Sequence, residues 1–287
     1  MSLPRKVHWR ILLDLADFAK RESKFEEAKV LFKLITYIQP YAYQGWLEYA
    51  KMEEECGNNE SSRRILQIGL KFNSLNDNLF VKAIKVEEKG RNFEEVRDLL
   101  AVLKDVPIDR SWRMILEGAL FEGRAGNVAA ARLAFRYLLK HCASYGPIYL
   151  EASKYEEREG AIDKALKLCE EGLQYNSKYG PLWFQYLRLV EKRGDFTLGK
   201  IQDLLNSMFS NINRELAWKV YIEAAQTYER MNEQRRTFEY MMQAVLNSPE
   251  NLKWKVWLIA SRSEYKVGNL TQARKLIERC LTEVPQK

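Results

Sequence analysis

Histidine is almost absent from these 287 residues, with only His8 and His141, and the four cysteines, Cys56, Cys142, Cys169 and Cys280, stand far apart. Without a Cys-x-x-Cys there is no spacing for structural zinc, and the thiols are expected to be free and buried, in a reducing compartment. His141 and Cys142 are adjacent, but neighbouring side chains on a helix diverge, and no further ligands cluster beside them in the sequence. A phosphate loop, a nucleophile elbow and a metal-ligand spacing are also missing, which argues against an enzyme and calls for no cofactor. His8 and His141 are expected at the surface and at a helix end rather than in acid-base work. No apolar run approaches the roughly 20 residues that a membrane span needs. The opening MSLPRKVHWR is not followed by the apolar stretch of a secretory signal.

With 46% hydrophobic and 30% charged residues the chain is globular, and its length alone suggests about two domains. A repeat overrides that prior. Eight times the chain runs through a large apolar residue, small residues three and four places on, Glu at seven, a turn, then a small residue and Arg or Lys. The last copy reads Trp257, Ala260, Ser261, Glu264, Gly268, Ala273, Arg274 and Pro285; others read Trp46, Tyr49, Ala50, Glu53, Gly57, Ser62, Arg63 and Tyr149, Ala152, Ser153, Glu156, Gly160, Ala165. The turn residues are Ser23, Gly57, Arg91, Gly126, Gly160, Gly194, Asn232 and Gly268, giving steps of 34, 34, 35, 34, 34, 38 and 36. Such a period marks a helix-turn-helix solenoid. The expectation is an all-α, right-handed superhelical array over 1–287, with repeats at 9–40, 43–75, 77–107, 112–143, 146–178, 180–211, 215–249 and 253–285.

Each repeat reads as two amphipathic helices, the first as in Trp254, Trp257, Leu258 and Ser261, the second as in Ala273, Leu276, Ile277 and Leu281. Pro40, Pro107, Pro249 and Pro285 fall where second helices stop, because proline cannot continue the ladder. Pro147 and Pro181 fall where first helices start, where a missing amide proton costs nothing. Ala28, Ser62, Ala131, Ala165 and Ala273, five after the turn, allow close helix approach; Val96, Gly199 and Thr237 loosen the rule. Glu53, Glu87, Glu122 and Glu264 stand ten residues before Arg63, Arg97, Arg132 and Arg274. That spacing predicts an ion pair across each turn, and in the seventh repeat both places change together, to Tyr228 and Phe238. These glutamates are therefore read as structural rather than catalytic.

The pattern W-x-x-[YA]-[AS]-x-x-E, then G-N, A-R and P, resembles the half-a-TPR repeat, a relative of the tetratricopeptide repeat, over nearly the whole chain. Repeat one departs from it with Leu12 and Ala19, and repeats six and seven carry Val190 and Tyr228 in place of the Glu. The resemblance implies RNA metabolism, since that family includes splicing scaffolds, RNA-processing factors and organelle transcript binders. It implies protein subunits of an RNA-processing complex as partners, and the nucleus as location with an organelle as the alternative.

Phase adds a candidate surface. Two before each turn stand Arg21, Glu55, Lys89, Arg124, Arg158, Lys192, Arg230 and Lys266, and six before it stand Lys51, Lys85, Lys154, Arg188 and Arg262 among others. Places four apart share one helix face, expected to line the inner, concave surface. The candidate contacts are Lys89, Arg124, Arg158, Lys192, Arg230 and Lys266, with Lys154, Arg188 and Arg262 beside them. A net charge of +7 and a pI near 9.0 fit phosphates of a single-stranded RNA, with Tyr265 and Phe184 for stacking. The competing reading is an ordinary solvated face. Glu54, Glu88, Glu157 and Glu191 follow Lys51, Lys85, Lys154 and Arg188 by three residues, and the macrodipole favours cations at helix ends in any case. Solenoids also bind peptides and partner helices, and a second copy is one such partner. The long step near Phe209–Leu216 is where a change of pitch is expected.

Overall fold

The computed structural model describes residues 5–194 and 197–284 and divides at Cys142/Ala143 into two compact units. The described residues contain sixteen α-helices, three short 3-10 turns and no strand. In the first unit, four helix pairs follow in order: α1 Arg5–Arg21 with α2 Phe25–Ile38, α3 Tyr43–Glu55 with α4 Asn59–Phe72, α5 Asp77–Lys89 with α6 Phe93–Ala101, and α7 Ile108–Arg124 with α8 Val128–His141. In the second unit they are α9 Gly146–Arg158 with α10 Ile162–Tyr175, α11 Gly180–Arg193 with α12 Leu198–Asn211, α13 Ala217–Arg230 with α14 Gln234–Asn247, and α15 Lys253–Val267 with α16 Leu270–Glu283. The fold is all-helical and repeats with the phase read from the sequence.

The turns explain that phase. All eight turn residues have positive φ, from 59° at Arg91 to 90° at Gly268. Around Ser23, Gly57, Arg91, Gly126, Gly160, Asn232 and Gly268 the backbone closes a Schellman motif: Gly57 N donates to the Glu54 carbonyl and Asn58 N to the Glu53 carbonyl, at 3.0 and 2.8 Å, and Arg91 and Asn92 do the same to Glu88 and Glu87. Ser23, Arg91 and Asn232 hold this conformation without glycine, at a cost that asparagine bears most easily.

Small residues five after the turn face their own first helix, as expected: Ala28, Ser62, Val96, Ala131, Ala165, Thr237 and Ala273 are all buried. Ser62 Oγ also donates to the Ala50 carbonyl at 2.9 Å across the hairpin. Gly199 corrects the rule. It is exposed, with nothing near the Cβ it lacks, and Ile201 takes the buried place. The reason is that α12 begins four residues after its turn residue, where the other second helices begin two after theirs. A 3-10 turn at Arg214–Leu216 absorbs the rest of the 38-residue step, and a similar turn at Glu250–Leu252 accounts for the 36-residue one. Pro147 and Pro181 sit in the first turns of α9 and α11. Pro40 follows the end of α2, Pro249 precedes the 3-10 turn, and Pro107 immediately precedes α7. Pro285 lies outside the described residues. No described helix is long and apolar enough to cross a membrane.

Candidate functional site: a ladder of ion pairs on the first-helix face

The basic ladder is present, but its cations are already engaged. In the first unit Lys89 Nζ lies 3.1 Å from Glu54, and Arg124 donates from Nε and Nη2 to both oxygens of Glu88, at 2.6 and 2.8 Å. In the second unit Lys192 reaches Glu157 at 2.6 Å, Arg230 grips Glu191 through Nε and Nη2 at 2.5 and 2.7 Å, and Lys266 reaches Glu229 at 3.2 Å. Each acceptor stands three before the turn of the preceding repeat, so each rung joins one hairpin to the next. The one inverted position confirms the register. Glu55, the ladder's lone acid, receives Lys20 Nζ at 2.8 Å, and Lys20 occupies the place that is Glu in those other rungs.

The expectation that Glu54, Glu88, Glu157 and Glu191 serve Lys51, Lys85, Lys154 and Arg188 on their own helices is therefore corrected. Lys51 and Lys154 instead hold Glu48 and Glu151, three residues back, at 2.7 and 2.9 Å. Lys85 and Arg188 turn to the next repeat, meeting Glu117 at 3.5 Å and Glu223 at 2.7 Å. Lys82 and Gln185 add donors to Glu54 and Glu157. Hydrogen bonding from Lys82 and then Lys89 keeps the Glu54 carboxyl below its usual range. For Glu157, burial pushes the pKa up, but the hydrogen bonds from Lys192 and Gln185 outweigh it and the net shift is downward. Two candidate cations stand apart. Arg158 and Arg262 are exposed and make no ion pair among the described residues; Arg158 Nε only approaches the Lys154 carbonyl of its own helix, at 3.4 Å. Tyr265 is exposed and Phe184 half-buried.

The glutamates four before the turn also pair between repeats, not across their own turns as the ten-residue spacing predicts. Arg63 Nε donates to Glu87 at 2.8 Å, Arg97 Nε to Glu122 at 3.0 Å, and Lys29 lies 2.9 Å from Glu53. On a helix, a residue one further along is rotated by about 100°, so the small residue faces its own partner helix while the cation after it faces the next hairpin. Within its own repeat the carboxylate is held by an asparagine one after the turn, from Asn58, Asn92, Asn127 and Asn269 at 2.8–3.0 Å. The G-N of the motif thus has a mechanism: glycine for the turn, asparagine for the buried acid. Tyr228 and Phe238 are not partners. Tyr228 donates to Gln202 of the preceding repeat at 3.1 Å, while Phe238 is largely exposed.

Among the described residues no group of three His, Cys, Asp or Glu is placed to hold a metal. His8 is exposed, and His141 ends α8 with its ring 4.6 Å from that of Tyr137. The cysteines are free, but Cys56 is exposed, contrary to the expectation of burial; burial pushes the Cys169 thiol up to about 12.

Stacked helical hairpins with left-handed Schellman turns and a cross-repeat lattice of ion pairs define a tetratricopeptide-like repeat protein. The family model described as PRP6, TPR-like domain matches residues 2–287, and the chain belongs to that family. A TPR-containing protein of Dictyostelium discoideum is 46% identical over 250 residues, 87% of this chain, and the chain spans about a fifth (19%) of that relative's length. Among solved structures, a human IFIT1 dimer with PPP-AAAA aligns with TM-score 0.48 at 12% identity, covering 90% of this chain and 68% of that one. A tetratricopeptide repeat protein from Parabacteroides merdae aligns with TM-score 0.47 at 11% identity, covering 95% and 98%.

Proposed function

We propose that this chain is a non-catalytic protein-interaction platform in RNA processing, acting in the nucleus within a splicing complex. Membership of the PRP6 TPR-like family supports the pathway. The observation that carries the choice of protein over RNA is the state of the ladder. Lys89, Arg124, Lys192, Arg230 and Lys266 each hold a carboxylate of the neighbouring repeat within 3.2 Å, so a phosphate would have to displace an existing partner at each of these five rungs. Only Arg158 and Arg262 of the nine candidate cations remain for an acidic ligand. Within each unit the lattice serves instead to fix one hairpin against the next, which holds those inter-repeat surfaces rigid for recognition.

The test is affinity purification of the chain's partners from nuclear extract, with and without ribonuclease. Retention of splicing proteins after ribonuclease is the expected result. Their loss on ribonuclease treatment would transfer the function to direct RNA binding, and recovery of no splicing protein would overturn the pathway.

A further inference from the structure

Within each unit, a residue six places after one turn meets a residue four before the next at several junctions. The pairs are matched in kind: Lys29 with Glu53, Arg63 with Glu87 and Arg97 with Glu122; in α12, which starts two residues later after its turn, Gln202 takes the equivalent place eight after Gly194 and meets Tyr228. In the same register Leu166 and Val190 are both apolar. At the junction of repeats seven and eight the register pairs Phe238 with Glu264, an apolar side chain with a carboxylate. Phe238 is 57% exposed, and Glu264 receives Asn269 Nδ2 on Oε2 at 2.8 Å, which leaves Oε1 without a hydrogen-bond partner among the described residues.

A groove of about 290 Å³ lies at this mismatch, lined by Phe238, Met241, Met242, Trp257 and Glu264, with Glu229 and Arg279 also in its wall. Glu229 binds Lys266 through Oε2 but keeps a buried Oε1 without a hydrogen bond. Arg279 is occupied, its guanidinium 4.3 Å from the Trp257 ring centroid and its Nε directed at Glu283. The chain supplies its own reference for what belongs there. The junction of repeats two and three carries the equivalent groove, about 280 Å³, in which Arg63 bridges to Glu87.

We propose that the groove at repeats seven and eight binds a segment of a partner protein through an arginine that pairs with Glu264 and an adjacent bulky apolar residue that covers Phe238 and Met242. The partner's guanidinium stands where the chain's own arginine stands at the earlier junction. A bidentate arginine on a half-buried carboxylate, flanked by apolar contact, is the arrangement that concentrates binding energy at interfaces. This inference deepens the interaction-platform reading and rests on it, but its test uses no extract, so the failure of one is distinguishable from the failure of the other.

The experiment is a methyl NMR titration of the whole chain with N-acetyl-phenylalanyl-arginine amide and, separately, with its citrulline isostere. The Met241 and Met242 methyls are expected to shift saturably with the arginine peptide, and the citrulline peptide to bind at least tenfold more weakly. Glu264→Gln should weaken arginine binding to the citrulline level. Phe238→Arg should restore the internal bridge, raise Tm and abolish binding, which separates occupancy of the groove from loss of folding. Equal binding of the two peptides, shifts confined to other methyls, or undiminished binding to a folded Phe238→Arg protein would overturn the proposal.

Discussion

Reversing Arg230 removes two charge-assisted hydrogen bonds to Glu191, at 2.5 and 2.7 Å, and one to Thr227 Oγ1 at 3.2 Å. Fully sequestered bonds of this kind contribute about 1.5–3 kcal/mol each. Here the side chains are 42% and 23% exposed, and exposed pairs return only about 0.2–1 kcal/mol. A value of about 1 kcal/mol for the pair follows from its bidentate geometry, and a second carboxylate beside Glu191 adds about 1 kcal/mol of repulsion. Arg230→Glu should therefore destabilise by about 2 kcal/mol, which for a unit the size of Ala143–Lys287 lowers Tm by about 6 °C. The exchange Arg230→Glu with Glu191→Arg should recover most of that loss, because the Lys20–Glu55 rung shows the lattice working with reversed polarity. Thermal unfolding of the parent, both single variants and the double variant, followed by circular dichroism, gives the coupling energy. The coupling should shrink between about 0.1 and 1 M salt as the screening length falls from about 10 to 3 Å. Additive single effects, within about 0.3 kcal/mol, would refute the claim that the rungs bind one repeat to the next.

Arg91→Gly should stabilise by about 0.5 kcal/mol, because relief of the left-handed strain exceeds the added entropy of the unfolded chain, and a small rise in Tm reports it. Gly172→Ala should destabilise by about 1–3 kcal/mol, since its Cβ would lie 2.6 Å from Tyr149 Cγ and 2.7 Å from Leu182 Cδ2; an unchanged Tm would contradict that packing. Glu54 and Glu157 have folded pKa values lowered from 4.5, so the stability they add is present above the ordinary glutamate value and is lost as pH falls through the depressed folded ones. Glu54→Gln with Glu157→Gln should flatten the acid limb of a stability-against-pH curve, and an unaltered limb would exclude these rungs as its source. Under mild alkaline conditions a thiol reagent should label exposed Cys56 first and Cys169 last, as mass spectrometry of the peptides would show; early labelling of Cys169 would contradict its burial.

The sequence by itself determined the repeat, its phase and its turns. All of these are local: a left-handed residue, a small residue five later and an apolar stripe repeat along one dimension, and Ser23, Arg91 and Asn232 were found by phase although they are not glycine. Only the tertiary structure decided who pairs with whom. Glu87 stands ten residues before Arg97 and 24 after Arg63, and the sequence favours the nearer partner. The direction in which a side chain leaves its helix, set by 100° steps and by how hairpins stack, favours the farther one. The same holds for the ladder, whose cations look free in sequence because their carboxylates lie about 35 residues away on another helix. One signal for this pairing was legible all along, the joint reversal of Lys20 and Glu55. The displaced register of α12 was hidden because the step of 38 residues gives its length and not where the extra residues fall. The mismatch at Phe238 and Glu264 has meaning only once stacking places those two positions at one junction.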